Sequence, residues 1–123
     1  MDQLHNFFAQ DENTILIEKT LRSGQTIVYD GNVVILGDLN PGAEIIAAGH
    51  VLVMGVLRGF VHAGSKGKND ATITALQMRP TQLRICEHIT RPPDGEPEEE
   101  TKEAETARIK DGFVIIEKYK FGR

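Results

Sequence analysis

The side chains that could do catalytic or metal chemistry are few and scattered along this chain. They comprise one cysteine, isolated carboxylates and four histidines, at positions His5, His50, His62 and His88. No HExxH, CxxC or glycine-rich phosphate loop is present. The run Gly55–Gly59 lacks the strand–turn–helix surroundings of a nucleotide fingerprint. We therefore predict no catalytic residue, no metal site, no cofactor and no enzymatic activity.

Two residue types keep an alternative interpretation. We interpret His50 and His62 as surface or corner residues, the alternative being a metal or catalytic role. Cys86 follows the apolar segment Leu83–Ile85 and is interpreted as buried packing, the alternative being a nucleophile. As the single cysteine it cannot form an internal disulfide, which fits a reducing cytoplasm.

Glycine recurs at a period that predicts the elements around these residues. The segments Gly31–Gly37 and Gly49–Gly55 superpose with an offset of 18 residues, and so do Ser23–Val28 and Pro41–Ile46. A third copy starts at Arg58, where Gly59 follows Gly42 by 17 residues. Repeats of this length are typical of stacked coils of short strand.

The coil interpretation predicts an all-β fold. Nine of the twelve glycines fall between Gly24 and Gly67 and disfavour helix there, because glycine costs about 1 kcal/mol per helical position. About three short apolar segments fit in each period of roughly 18 residues, which predicts a short triangular β-helix with one parallel sheet on each of three faces. Strand alternation should point one set of side chains inward, namely Val33, Ile35, Val51 and Val53.

Composition sets limits on partners and location. The net charge of −4 gives no electrostatic case for nucleic acid. No apolar run approaches the roughly 20 residues of a membrane helix, and the first residues lack a signal pattern. We expect a cytoplasmic protein.

The two ends of the chain differ from its body. We predict a lead or linker over 1–17 (with a possible first strand from Thr14), the β-helix over 18–91, an acidic linker over 92–105 and a strand pair over 106–123. Residues 94–105 hold seven acidic residues and one lysine. This run is interpreted as a solvated linker, the alternative being a docking site for a basic partner. Asp111-Gly112 between apolar runs is a strong hairpin signal, so a hairpin should close the β-helix.

A β-coil without a catalytic cluster presents flat faces suited to protein contact. In coil registry, Arg22, Asn40 and Leu57 or Arg58 should stack, so Arg22, Glu44 and Arg58 could share one patch. The alternative is that these three are ordinary solvated corner residues.

Three stretches carry a family resemblance. Arg22–Gln25 (RSGQ), Gly37–Gly49 (GDLNPGAEIIAAG) and Gly55–Gly64 (GVLRGFVHAG) resemble the C-terminal domain of the bacterial septum site-determining proteins called MinC. The similarity covers about residues 18–119 and includes the closing strand pair.

The resemblance implies a fold and partners. It implies a right-handed β-helix that forms a homodimer through one sheet face and binds the membrane-associated, ATP-bound ATPase MinD through another. Carried over by motif, the MinD surface comprises Arg22, Ser23, Gly24, Gln25, Gly42, Glu44 and Arg58. For the dimer we expect an aliphatic sheet face opposite the RSGQ edge, with Met54 or Val61.

The implied role is septum-site selection, in which a division inhibitor prevents assembly of the FtsZ ring away from mid-cell. The family's FtsZ-antagonising N-terminal domain does not fit in the residues before Arg22. The implied location is the cytoplasm, with recruitment to the inner face of the membrane by MinD.

Two other classes of β-solenoid stay open. A hexapeptide-repeat acyltransferase would show a strict six-residue repeat and an essential histidine, whereas the glycine spacing here is irregular. A self-assembling bactofilin-like β-helix would have more coils and would lack the RSGQ and GAE stretches.

Overall fold

The protein is a β-solenoid built from short strands. The computed structural model describes residues 13–90 and 103–120, and no helix occurs among them. The acidic run, apart from 103–105, lies outside the described residues. The strands are β1 Thr14–Ile17, β2 Thr26–Tyr29, β3 Asn32–Ile35, β4 Glu44–Ala47, β5 Val51–Leu57, β6 Phe60–Ala63, β7 Ile73–Met78, β8 Gln82–Ile85, β9 His88–Ile89, β10 Glu105–Lys110 and β11 Phe113–Lys118.

Two sheets form the walls of the solenoid. Sheet A has the order β1-β3-β5-β7-β10-β11, and sheet B has the order β2-β4-β6-β8-β9. Strands β1, β3, β5 and β7 are parallel, as are β2, β4, β6 and β8. Each coil therefore contributes one strand to each sheet, giving four coils. The predicted first strand is present as β1, and it belongs to sheet A although it precedes residue 18.

Strand alternation fills the interior with aliphatic side chains, as predicted. Val33, Ile35, Val51 and Val53 are at most 1% exposed. Their counterparts on sheet B, including Ile45, Val61 and Leu83, are also buried. Because parallel registry stacks equivalent positions, these residues form inward columns and no polar residue of the described chain is buried among them.

The third side of the triangle is a ladder of single bridges rather than the predicted third sheet. Leu21, Leu39 and Leu57 pair in parallel and are fully buried. Beside them, side chains replace backbone acceptors: Asp38 N–H donates to Thr20 Oγ1 at 3.1 Å, and Val56 N–H donates to Asp38 Oδ1 at 2.8 Å. These side-chain bonds interrupt the backbone ladder, so one leucine per coil remains.

The third coil is two residues shorter than the predicted repeat on sheet B. Thr26 pairs with Glu44 at an offset of 18 residues, whereas Glu44 pairs with Phe60 at an offset of 16. The predicted alignment of Gly59 with Gly42 is therefore wrong, and Gly59 lies beside Ala43. A Cβ on Gly59 would lie 2.4 Å from the Ala43 carbonyl oxygen, so glycine allows the shortened coil to close against its neighbour.

A hairpin closes the fold beyond the last parallel strand, as predicted. β10 pairs antiparallel with β7 and with β11. Asp111 and Gly112 have φ of 52° and 84°, the positive values of a two-residue type I′ turn. Ala107 and Val114 are buried, so the hairpin covers the end of the aliphatic interior.

Candidate protein-binding corner

Two tight turns project where the leucine side meets sheet B. In the turn Arg22–Gln25, the Gln25 N–H donates to the Arg22 carbonyl at 3.0 Å and Gly24 has φ of 89°. In the turn Asn40–Ala43, the Ala43 N–H donates to the Asn40 carbonyl at 3.0 Å and Gly42 has φ of 85°. Glycine at the third position is the signature of a type II turn, and in the second turn proline precedes it.

The two turns stack directly on each other. The Gly24 N–H donates to the Gly42 carbonyl at 2.9 Å, and the Glu44 N–H donates to the Gln25 carbonyl at 3.0 Å. A Cβ on Gly42 would lie 2.4 Å from Ser23 Oγ. The glycine of the second coil thus provides the space that the serine of the first coil occupies.

The four residues of the RSGQ stretch have different roles within this geometry. The Gln25 side chain turns back and its Oε1 accepts from the Arg22 N–H at 2.8 Å, so it closes the turn. The side chain of Ser23 lies over Gly42, while the Arg22 side chain is exposed. Arg22 is therefore the residue of the stretch that can reach furthest toward a partner.

Arg58 and Glu44 lie on either side of the turns. Leu21, Leu39 and Leu57 pair in register, which stacks the following residues, Arg22, Asn40 and Arg58, as predicted. With neighbouring strands about 4.8 Å apart, Arg22 and Arg58 are separated by roughly 10 Å. Glu44 begins β4 on the outer side of sheet B and is half-buried, as is Arg58.

We define the turn corner as the two turns together with Glu44 and Arg58. It contains all seven predicted MinD-face residues: Arg22, Ser23, Gly24, Gln25, Gly42, Glu44 and Arg58. Among the described residues, no salt bridge involves Arg22, Glu44 or Arg58. The two guanidinium groups can therefore offer forked donors to partner carboxylates or carbonyls without first breaking an internal ion pair.

An apolar surface beside the turn corner was missed by sequence reasoning. Val28, Ile46 and Phe60 lie on the outer side of sheet B, and Val28 is 71% exposed. Val28 and Ile46 are paired neighbours, and Phe60 pairs with Glu44. The signal was present in Thr26–Tyr29, where both faces of the strand carry apolar residues.

The histidines and the cysteine do not assemble into a reactive centre. His50 Nδ1 accepts from the Thr72 N–H at 3.0 Å, and His62 Nε2 donates to the Cys86 carbonyl at 2.8 Å. Cys86 is 7% exposed, as its interpretation as buried packing predicts. Burial raises the pKa of the Cys86 thiol, and the carboxylates of Glu87 and Asp70 raise it further. Over residues 13–90 and 103–120, no three histidine, cysteine or acidic side chains form a metal-binding group.

Comparison with known proteins identifies the family. Residues 15–119 match the model of the septum formation inhibitor MinC, C-terminal domain. The chain belongs to this family. It is 61% identical over 112 residues to a probable septum site-determining protein MinC of Heliobacterium modesticaldum, and 57% identical over 103 residues to one of Acetivibrio thermocellus. The matches cover 91% and 81% of this chain but only 38% and 44% of the two relatives.

A solved structure has the same fold. The chain superposes on a chain of the MinC:MinD cell division protein complex of Aquifex aeolicus with a TM-score of 0.78 and 36% identity, covering 87% of both chains. This similarity confirms the predicted β-solenoid of a MinC C-terminal domain. Within the described residues, no helix is long and apolar enough to cross a bilayer.

Proposed function

We propose that this domain binds MinD and thereby directs a septum site-determining protein to where MinD is located. The observation that carries the proposal is the similarity to MinC in a complex with MinD, combined with the two exposed, stacked turns at the turn corner. The role is one of binding and regulation, and no catalysis is assigned to it.

The turn corner has the chemistry of a docking surface. Arg22 is exposed on a turn whose backbone is fixed by the Gln25 side chain, so little ordering is needed when a partner binds. The neighbouring apolar side chains of Val28 and Ile46 add area that a partner can bury. An arginine beside an apolar surface is a common composition for the centre of a protein interface.

Arg22→Ala tests this assignment. We expect it to weaken binding to ATP-loaded MinD by about 2 kcal/mol or more, because it removes forked hydrogen bonds at the centre of the interface. The measurement is co-sedimentation with MinD and lipid vesicles in ATP and in ADP. Lys110→Ala, on the hairpin turn, is the matched control.

The outcome is decided by the comparison of these two variants. Loss of recruitment with Arg22→Ala and retention with Lys110→Ala would support the proposal, provided that both unfold at the wild-type urea concentration. Equal affinity of Arg22→Ala and wild type would contradict the assignment. Recruitment in ADP as strong as in ATP would contradict the proposed dependence on nucleotide.

We also propose that the outer face of sheet A joins two copies of the domain. Large apolar side chains lie there on neighbouring strands, each 43–53% exposed: Leu16, Leu36, Met54 and Leu76. Val61, the other residue expected at the dimer face, is instead fully buried because it points into the core from sheet B. Met54 remains the central candidate.

The wider role follows as part of the same proposal. Recruited by MinD from the cytoplasm to the inner face of the membrane, the domain would act in selecting the septum site as part of a division inhibitor. Contact with FtsZ is assigned mainly to the N-terminal domain of the longer relatives. Membrane contact is indirect, through MinD.

A further inference from the structure

A polar cleft lies at the far end of sheet B from the turn corner. It has a volume of about 600 Å³ and lies between the loop that follows β6 and the turn that joins β8 to β9. Its lining includes His62, Lys66, Arg84, Cys86, Glu87 and His88. The turn corner precedes β2 and β4, whereas this cleft follows β6 and β8, so the two surfaces are separate.

The carbonyl of Cys86 holds two of the cleft side chains in place. It accepts from His62 Nε2 at 2.8 Å and from Arg84 Nε at 3.0 Å. Cys86 has φ of 53°, a left-handed conformation that is unfavourable for a residue with a Cβ. Because Arg84 uses Nε for this bond, its two terminal nitrogens have no partner among the described residues.

The charge of the cleft favours an anion. Arg84 and Lys66 are positive, Glu87 is negative, and the buried Cys86 thiol has a raised pKa that keeps it neutral. Lys66 pairs with Asp30 at 3.2 Å, but both side chains are more than half exposed. Such exposed pairs contribute little, so the ammonium can turn to another anion.

His88 contributes a buried polar atom without a partner. Its Nδ1 is inaccessible to solvent and makes no hydrogen bond. An unsatisfied buried nitrogen is unfavourable, and native structures usually provide a partner for it. An oxygen bound in the cleft would satisfy Nδ1–H.

We propose that this cleft binds a phosphate-type oxyanion. The terminal nitrogens of Arg84 and the ammonium of Lys66 bind its oxygens, and His88 Nδ1–H donates to one of them. Guanidinium groups suit this task because their paired donors match the spacing of phosphate oxygens. The source is either a free phosphate compound or the headgroup of an anionic lipid.

Titration with inorganic phosphate tests the proposal. We expect saturable changes in the side-chain NMR signals of His88 and Arg84 Nε, measured against sodium chloride at equal ionic strength. Arg84→Gln and Lys66→Gln should each weaken binding by about tenfold, because each removes a charge-assisted contact. Lys19→Gln, which removes an exposed charge at another corner, should bind as wild type does.

Backbone spectra of each variant establish that it is folded. Lys66→Gln keeps the test decisive if Arg84→Gln disturbs the Cys86 turn, since the Lys66 side chain contacts only exposed Asp30. Changes of equal size in chloride, or identical titrations for Lys66→Gln and Lys19→Gln, would overturn the proposal.

A vesicle experiment separates the two sources. Retention on phosphatidylglycerol vesicles but not on phosphatidylcholine vesicles, lost in Lys66→Gln, would assign the cleft to a lipid headgroup. Phosphate binding without vesicle retention would assign it to a free phosphate compound. Absence of both would refute the anion site.

Discussion

At the scale of single residues, the turn corner depends on two glycines in nearly the same conformation but in different surroundings. Gly24 and Gly42 both have positive φ, which L-residues adopt at a cost of roughly 1–2 kcal/mol. A Cβ on Gly24 would contact nothing within 4 Å, whereas one on Gly42 would lie 2.4 Å from Ser23 Oγ. The two positions therefore separate backbone strain from steric overlap.

Gly42→Ala should destabilise the domain more than Gly24→Ala, which should cost about 1–2 kcal/mol. The excess arises from the overlap with Ser23, so adding Ser23→Gly should recover part of it. Urea unfolding of the single and double variants measures this coupling. Equal losses for the two alanine variants would show that Ser23 moves aside without cost.

Cys86 should react slowly with thiol reagents in the native protein. Burial and the neighbouring carboxylates raise the pKa of its thiol, so little thiolate is present at neutral pH. Timed labelling with a maleimide in buffer and in denaturing urea measures the difference. Labelling at the same rate in both would contradict the buried position.

At the scale of elements, side-chain ladders connect one coil to the next. Asp38 bonds both to the coil before it, through Thr20, and to the coil after it, through the Val56 N–H. Asn32 has the same role at another corner, donating to Thr14 Oγ1 at 3.1 Å and accepting from the His50 N–H at 2.8 Å. The Gly37-Asp38 pair of the family motif thus has a structural purpose, distinct from partner binding.

Asp38→Ala should reduce the free energy of unfolding by about 1.5–3 kcal/mol, because the half-buried Val56 N–H loses a charged acceptor. Asp38→Asn keeps an oxygen at the same place and should lose less. Urea unfolding of both variants compares them. If the asparagine variant is as unstable as the alanine variant, the carboxylate charge matters more than the hydrogen bond.

The sequence predicted the coils, the inward columns and the closing hairpin because each depends on local periodicity and turn chemistry. Val33 and Val51 follow strand alternation, and Asp111-Gly112 follows turn preference. The third side could not be predicted as single bridges, since this depends on the Asp38 side chain replacing backbone acceptors. The buried position of Val61 was missed because the register of β6 differs from the simple repeat by two residues.

At the scale of the whole molecule, the solenoid separates its surfaces by side. The turn corner lies where sheet B begins, the apolar face lies on the outside of sheet A, and the polar cleft lies at the far end of sheet B. Of these, the candidate MinD residues were predictable from the RSGQ and GAE stretches. The cleft was not, because it combines residues from β6, β8 and the loops that follow them.

Met54→Asp should convert the proposed dimer into a monomer while the fold is retained. Met54 is 43% exposed on the outer face of sheet A, so a carboxylate there is tolerated in the monomer but opposed in an apolar interface. Light scattering of wild type and variant gives the mass directly, with Val28→Asp on sheet B as control. A wild-type mass of 13.6 kDa at micromolar concentration would refute the dimer.

The short third coil limits how the molecule could be lengthened. The first two coils keep an offset of 18 residues on both sheets, whereas the step from β4 to β6 keeps 16 on sheet B. Only the first part of the chain is therefore a modular unit. Duplicating residues 32–49 would insert one complete coil and move the hairpin about 4.8 Å along the solenoid axis, with both sheets still in register. A duplication taken from the third coil would not preserve both registers.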